Sequence, residues 1–297
     1  MDDFTRADLC PSIYELLAQK CTVKGLSGEE ISIKIQNEYG GDAVYSVLAK
    51  QLGVCLSKIV YLKLDQEKYL CDIYYEDILR VCKPTENWEL IVITIDIEDE
   101  AHANTLLINH KLRIVEHFDP FGSESIIYCD KSIRKWIKEY YNNYFIVKPE
   151  DICPVGPQNV LGGGTCYMWS LLYFYLRLRC SKTDPSVLTE ALLSLPRQEL
   201  IDLLVRFGCY IIEIGDKLQL GMVKSLYYIS RNILIENEFN STAMNLVDQL
   251  ERYYTSAETI KLLRTILSSN MLMSKLEPYN HTLIEKAKKY LLQSEKI

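Results

Sequence analysis

The sequence has no Cys-x-x-Cys pair and only four histidines. Its ten cysteines are scattered. Even the nearest in sequence, Cys10 and Cys21 or Cys71 and Cys82, are too widely spaced for a zinc ribbon or finger. No metal site and no cofactor is therefore expected. The longest apolar run, around Tyr167 to Leu176, falls well short of the roughly 20 residues a membrane-spanning helix needs. The opening residues, Met-Asp-Asp-Phe-Thr-Arg, lack the basic and apolar regions of a signal peptide. Nor is there an excess of positive charge: the net charge is −7 over 297 residues. That argues against the nucleic-acid backbone as the main partner. Low-complexity segments and repeats are missing too. Together these absences describe a soluble globular chain of a reducing compartment. Most of its cysteines should be thiols buried as small hydrophobes.

What is present falls into three textures. Residues 1–85 mix short helices and strands and read as an N-terminal α/β accessory part packed on a core. Within them, Ser12 to Lys20 and Asp42 to Leu52 look helical, Lys58 to Leu64 looks like a strand, and Gln66 to Val81 is ambiguous. Residues 86–180 carry the clearest signals and read as the core. Glu89 to Ile95 is apolar enough for a central strand. After the acidic run Asp96-Ile97-Glu98-Asp99-Glu100 come two further strands, Ala103 to Ile108 and Leu112 to Phe118. Asp119-Pro120-Phe121-Gly122 is a turn. An amphipathic helix capped by Asp130 then places Ile133, Trp136, Ile137, Tyr140 and Tyr141 at helical spacing. A proline-rich loop leads to Gly162-Gly163-Gly164-Thr165-Cys166. From Cys166 to Leu176 the chain is apolar on all sides, as a buried helix should be. Residues 181–297 read as helical, starting from Asp184-Pro185 as N-cap and first helical residue. Further helices are expected over Gln198 to Val205, Met222 to Ile235, Ala243 to Tyr254, Thr259 to Leu267 and Thr282 to Leu292.

Four residues have types and spacing that suit acyl-transfer chemistry. If the strands after His102 and before Asp119 pair through a two-residue turn at His110-Lys111, the two residues oppose each other with Cβ atoms roughly 5 Å apart. A carboxylate there would fix the imidazole tautomer. Cys166 would open a buried helix, where unpaired N–H groups and the helix dipole favour a thiolate. The amide of Gln158, eight residues upstream, could donate to an oxyanion together with the Cys166 N–H. Taken singly, each has an ordinary explanation. Asp119 suits its turn, His102 ends a strand, Gln158 caps a loop, the glycines connect, and a cysteine at a helix start usually just packs.

The order His102, Asp119, Gln158, Cys166 resembles that of the ubiquitin-like-protein-specific cysteine protease clan. This clan includes SUMO proteases, adenovirus-type maturation proteases and bacterial effector deubiquitinases. The resemblance covers about residues 86–180. The segments AHANTLLINHKLRIVEHFDPFG and GPQNVLGGGTCYMWSLLYFYLRLR look most like divergent members from large DNA viruses. It implies an α+β, papain-like or adenain-like core with a mixed, mainly antiparallel sheet and a central Cys-bearing helix, followed by a largely helical region. It also implies a thiol protease with His102, Asp119 and Cys166 as triad and Gln158 in the oxyanion hole. SUMO proteases usually carry Trp after the histidine, Asp before the cysteine and Gly after it; here stand Ala103, Thr165 and Tyr167. A wider channel at Ala103 would fit a substrate other than SUMO.

The function so implied is that of a deubiquitinase-like isopeptidase, cleaving after the Gly-Gly-type tail of ubiquitin or a relative. The tail would thread past Ala103, Gly162, Gly163, Gly164 and Thr165, and its arginines would pair with Asp96, Glu98, Asp99 and Glu100. Conjugates of ubiquitin-like proteins are the expected partners. The expected location is intracellular: host cytoplasm or nucleus for a viral or effector protein, or the virion. Alternatives are a maturation protease cutting viral polyproteins at small-residue sites, an acyltransferase, and a non-catalytic binder of ubiquitin-like proteins.

Overall fold

The structure is a computed structural model. It describes residues 10–21, 23, 25–65, 70–78, 82, 86–97, 100–123, 129–218, 220, 221, 224 and scattered positions from 264 to 289. Chain contacts divide the molecule into two compact units, Met1–Lys34 with Leu48–Tyr210, and Ile35–Val47 with Ile211–Ile297. Strands on both sides of residue 86 share one sheet, β1 pairing with β3.

Nine helices and six strands are found among the described residues. They are α1 (Pro11–Ala18), α2 (Gly28–Tyr39), α3 (Gly41–Gln51), β1 (Cys55–Asp65), β2 (Leu70–Ile78), β3 (Trp88–Ile97), β4 (Glu100–Asn109), β5 (Ile114–Phe118), α4 (Asp130–Tyr140), β6 (Phe145–Val147), α5 (Pro149–Ile152), α6 (Pro157–Leu161), α7 (Cys166–Arg179), α8 (Pro185–Leu193) and α9 (Arg197–Lys217). The sheet runs β2-β1-β3-β4-β5-β6. Pairs β1–β3 and β5–β6 are parallel, and the other three are antiparallel. The mixed, mainly antiparallel sheet and the mixed α and β composition agree with the sequence reading at that level.

One side of the sheet buries Val60, Leu62, Ile91, Ile93, Ile95, Leu106, Ile108 and Val115 against Ile133, Trp136 and Ile137 of α4. The last three follow the helical spacing read from the sequence. Asp130 is not the cap of this helix. Cys129 takes that position with positive φ, and Asp130 is the buried first helical residue, paired with Arg134 one turn on. An (i, i+4) ion pair explains the acidic residue there without a capping bond.

Helix α7 packs across β4 and β5. Every residue from Cys166 to Arg177 is buried. The Ser170 hydroxyl donates to the Ala103 carbonyl at 2.8 Å, and Tyr173 stacks on Phe118 with ring centroids 4.0 Å apart. Arg177, a cation in the last turn of α7, is buried. It donates from Nε and Nη2 to the two oxygens of Glu116, both at 2.8 Å. Such a fork satisfies both charges away from water.

Eight cysteines form four disulfides: Cys10–Cys180, Cys21–Cys209, Cys55–Cys82 and Cys71–Cys129, with Cα–Cα distances of 5.3–5.8 Å. This corrects the expectation of mostly reduced thiols. Only Cys153 and Cys166 are unpaired. Two of the bridges tie the segment around α1 to the end of α7 at Cys180 and to the middle of α9 at Cys209, closing loops that span most of the chain.

In the second unit, Tyr39 donates its hydroxyl to Asp216 at 2.7 Å, and Lys224 donates to the carbonyls of Gln36 and Asn37. The expected helix over Gln198 to Val205 lies within the longer α9. The helix expected over Ala243 to Tyr254 lies outside the described residues, and so does that over Met222 to Ile235 except for Lys224. Those over Thr259 to Leu267 and Thr282 to Leu292 lie mostly outside them.

Glu116→Ala would leave Arg177 and Tyr173 without their buried partner. The variant should lose about 3–5 kcal/mol of unfolding free energy, read by urea denaturation.

Candidate active site

The β4–β5 hairpin closes through four residues, His110 to Arg113, rather than two, with Arg113 at positive φ. Thr105 consequently opposes Phe118, where a two-residue turn would set it against Glu116. The displacement is two residues, an even number, so it preserves the face of every side chain. His102 and Asp119 still meet, as diagonal rather than direct neighbours, at 2.9 Å between Nε2 and Oδ1. Both are buried, at 2% and 1% exposure.

Asp119 is held by its turn. Its Oδ1 also accepts the Phe121 N–H at 2.8 Å, and its carbonyl accepts the Gly122 N–H at 2.9 Å. The Phe121 ring packs on the His102 ring with centroids 4.8 Å apart. The Asp-Pro-Phe-Gly turn is thus both a chain reversal and the support of the imidazole.

Pairing of β5 with β4 stops at Thr105–Phe118. Beyond it, on that side of β4, the Cys166 sulfur takes the place of a strand. As a thiol it donates to the Ala101 carbonyl at 3.7 Å. As a thiolate it accepts from the backbone N–H groups of Ala103 and Tyr167 and from His102. Cys166 is also the first residue of α7, where the helix dipole favours negative charge.

Burial works against the charged imidazole of His102, but the charge and hydrogen bond of Asp119 and the contact with Cys166 outweigh it. They push its pKa up to about 10. For Cys166 burial raises the thiol pKa, and the His102 hydrogen bond and charge outweigh that and lower it. The two directions favour the charged forms, thiolate beside imidazolium, and the ring Nε2 is bonded to the Asp119 carboxylate. Cys153 is an internal contrast. It is buried near Asp119 with no cation beside it, donates to the Val155 carbonyl at 3.0 Å, and burial pushes its thiol up to about 12. One unpaired cysteine is activated and the other is not.

Gln158 lies in the first turn of α6 and is buried. Its N–H donates to the Pro120 carbonyl at 3.1 Å, which ties it to the Asp119 turn. Its side-chain Oε1 has no hydrogen-bond partner among the described residues. The two segments approach closely because both carry glycine. A Cβ at Gly122 would lie 2.0 Å from the Cys153 carbonyl, and one at Gly156 would lie 2.1 Å from that of Pro120. This close approach is not a local sequence signal, and the sequence reading missed it.

Of the glycine loop, Gly162 and Gly163 face open space, and Gly164 has φ of +76°. Thr165 is buried and donates to the Gly162 carbonyl at 3.3 Å. Asp96 is cross-strand from Ala101 and accepts a hydrogen bond from the Tyr74 hydroxyl. Glu98, Asp99 and the side chain of Glu100 lie outside the described residues. Helix α2 was not expected, although Ser27-Gly28-Glu29-Glu30 is a capping box. The Glu30 N–H donates to Ser27 Oγ, and the Ser27 N–H donates to Glu30 Oε2. Among the described residues one group could offer metal ligands, Cys55, Cys82 and Glu86, but its two sulfurs are bonded to each other.

The pKa directions predict reactivity. Lowering the thiol pKa keeps the thiolate as pH falls, and raising the imidazole pKa keeps the cation until about pH 10. Alkylation of Cys166 by iodoacetamide should stay fast well below the ordinary thiol range near 8.5. In His102→Ala it should fall off through that range. Mass spectrometry should show Cys153 unmodified in both.

No family model matches this chain, and no curated protein or solved structure matches it either, so the reading of the site rests on its own geometry.

Proposed function

We propose that this protein is a cysteine peptidase of the thiol isopeptidase type, acting after the Gly-Gly-type tail of ubiquitin or a ubiquitin-like protein. The observation that carries the reading is the buried His102 ring, bonded through Nε2 to Asp119 at 2.9 Å and interacting with the Cys166 sulfur at the start of α7. A mixed sheet bearing the histidine and the aspartate, with the nucleophile at the start of the helix packed on it, supports a papain-like or adenain-like core.

In the proposed reaction the Cys166 thiolate attacks the scissile carbonyl carbon. The carbonyl π bond opens, and negative charge moves to oxygen. The backbone N–H of Cys166 and the Gln158 side-chain amide donate to that oxygen. The imidazolium of His102 gives its Nδ1 proton to the leaving amine as the C–N bond breaks. A thioester to Cys166 remains. His102, now neutral, takes a proton from water as its oxygen attacks the thioester carbon; the C–S bond then breaks, the carboxylic acid leaves, and the Cys166 thiolate and His102 imidazolium are restored. Asp119 holds Nε2–H throughout, so the ring presents Nδ1 to each proton transfer.

Small residues are suited to the substrate path, since Gly162 and Gly163 leave open space before the nucleophile. Asp96 stands cross-strand from Ala101, whose carbonyl meets the sulfur. With Glu98, Asp99 and Glu100 it is proposed to dock basic residues of the tail. No described helix is long and apolar enough to cross a membrane. The proposed place of action is intracellular: the host cytoplasm or nucleus for a viral or effector protein, or the virion.

The test is a set of ubiquitin, SUMO and NEDD-type probes carrying a C-terminal electrophile. Wild type should form an adduct with at least one, and Cys166→Ala with none. A wild type inert to all three would end the isopeptidase reading and leave the maturation-protease or binder alternatives. Gln158→Ala should slow turnover of the reactive modifier by about 100-fold or more, with little change in KM. An unchanged kcat would remove Gln158 from the oxyanion site.

A further inference from the structure

His117 is a second buried imidazole beside the triad, and the proposed reaction makes no use of it. It lies on β5 two residues before Asp119, and Asn104 lies on β4 two residues after His102. The alternation of a strand therefore sets all four side chains on one face of the sheet. The Asn104 amide donates to His117 Nε2 at 3.3 Å. A step of two residues along each strand turns this pair into His102 and Asp119, bonded at 2.9 Å. Both pairs bridge β4 and β5 at the same offset from the register, in which Leu106 opposes His117. Backbone pairing ends at Thr105–Phe118, so the two side-chain bonds tie the strands together where the ladder stops.

Accepting from Asn104 fixes the tautomer of His117. Its Nε2 carries no proton, and Nδ1–H faces Asp130 Oδ1 at 3.6 Å. Asn104 and His117 are both 0% exposed. The charged groups around the ring are Asp119 in the turn after β5, Asp130 and Arg134 of α4, and Glu150 of α5. Arg134 already pairs with Asp130 and, at 3.3 Å, with Glu150. Burial pushes the His117 pKa below its ordinary value; Arg134 acts in the same direction and the three carboxylates oppose it. A protonated ring cannot keep this arrangement. Its Nε2–H would meet the Asn104 N–H2 group, donor against donor. Its charge would pull on Asp119 Oδ2, which has no hydrogen-bond partner among the described residues.

We propose that Asn104 and His117 are a positioning pair: they hold β5 against β4 just short of the site, set the distance at which Asp119 meets His102, and lose that hold when His117 takes up a proton. The proposal rests on the peptidase reading above. It adds an acid limit to the reaction, imposed by a residue that touches neither substrate nor the reacting atoms.

The experiment compares the full chain as wild type, His117→Ala and His117→Gln. The Gln side chain can accept from Asn104 but takes up no proton. Nitrogen NMR of the histidine rings reads the geometry without cleavage. At pH 7 wild-type His117 should be neutral with its proton on Nδ1. The proton affinity of His102 should fall about tenfold in His117→Ala and return toward wild type in His117→Gln. Turnover of the modifier whose probe reacts with Cys166 reads the consequence. In His117→Ala kcat should fall about tenfold, the effect of about 1.4 kcal/mol, with KM unchanged, and His117→Gln should recover it. Wild-type kcat should decline in acid below the ordinary imidazole range near 6.5, and His117→Gln should hold its rate to lower pH. A proton on His117 Nε2 at pH 7, a His102 affinity unmoved in His117→Ala, or acid limbs that coincide in wild type and His117→Gln would overturn the proposal. Should His117→Ala fail to fold, the His117 tautomer and the two acid limbs decide it. A His102 affinity that moves as stated, in a wild type that cleaves no modifier, upholds the tie between the two pairs and overturns the peptidase reading alone.

Discussion

A buried imidazole between a carboxylate and a thiol is the interaction on which the rest depends. Taken alone, burial at His102 would strip the ring of its charge. It is Asp119 on one side and Cys166 on the other that reverse this, and each partner is supplied by a different part of the chain. Asp119 comes from the turn that ends β5, and Cys166 comes from the start of α7. The ring comes from β4, beyond the point where β5 has stopped pairing. The early end of β5 is what makes room: it leaves backbone groups of β4 free to meet a sulfur atom in place of another strand.

The surrounding architecture fixes these parts with few tolerances. The turn at Asp119 is pressed onto the segment from Cys153 to Gln158 so closely that only glycine fits at positions 122 and 156. That contact puts the oxyanion candidate and the orienting acid on one rigid piece. Helix α7 is fastened to the sheet beyond Cys166 by the Ser170 bond, the Tyr173–Phe118 stack and the buried Arg177–Glu116 fork. A buried charge pair of this kind adds little net stability over an apolar core, but losing one partner is costly. The fork therefore constrains how α7 lies on β5, and with it the position of the nucleophile.

Much of the site was legible in the sequence because its signals are local or periodic. Strand runs marked β1, β3 and β4, the Asp-Pro-x-Gly turn marked Asp119, and the all-round apolar helix marked Cys166. The pairing of His102 with Asp119 survived a wrong turn length because the error in register was even. What could not be read required contacts between distant segments. The partners of Cys10 and Cys21 lie far along the chain, and no spacing rule points to them. The glycines at 122 and 156 look like ordinary turn residues until their segments are brought together. Helix α2 did carry a signal, the capping box from Ser27 to Glu30, but its weak apolar stripe hid it. Burial of Arg177 was masked by its position, since a cation in a last helical turn normally needs no further partner.

The central claim is that His102 carries a proton on both ring nitrogens because of its two neighbours. Nitrogen NMR of the histidine-labelled protein reads this directly. The account predicts an imidazolium at neutral pH that loses its proton only near pH 10, and that becomes neutral at lower pH in Cys166→Ala. A ring that titrates near 6.5 in the wild type, with no dependence on Cys166, would contradict it.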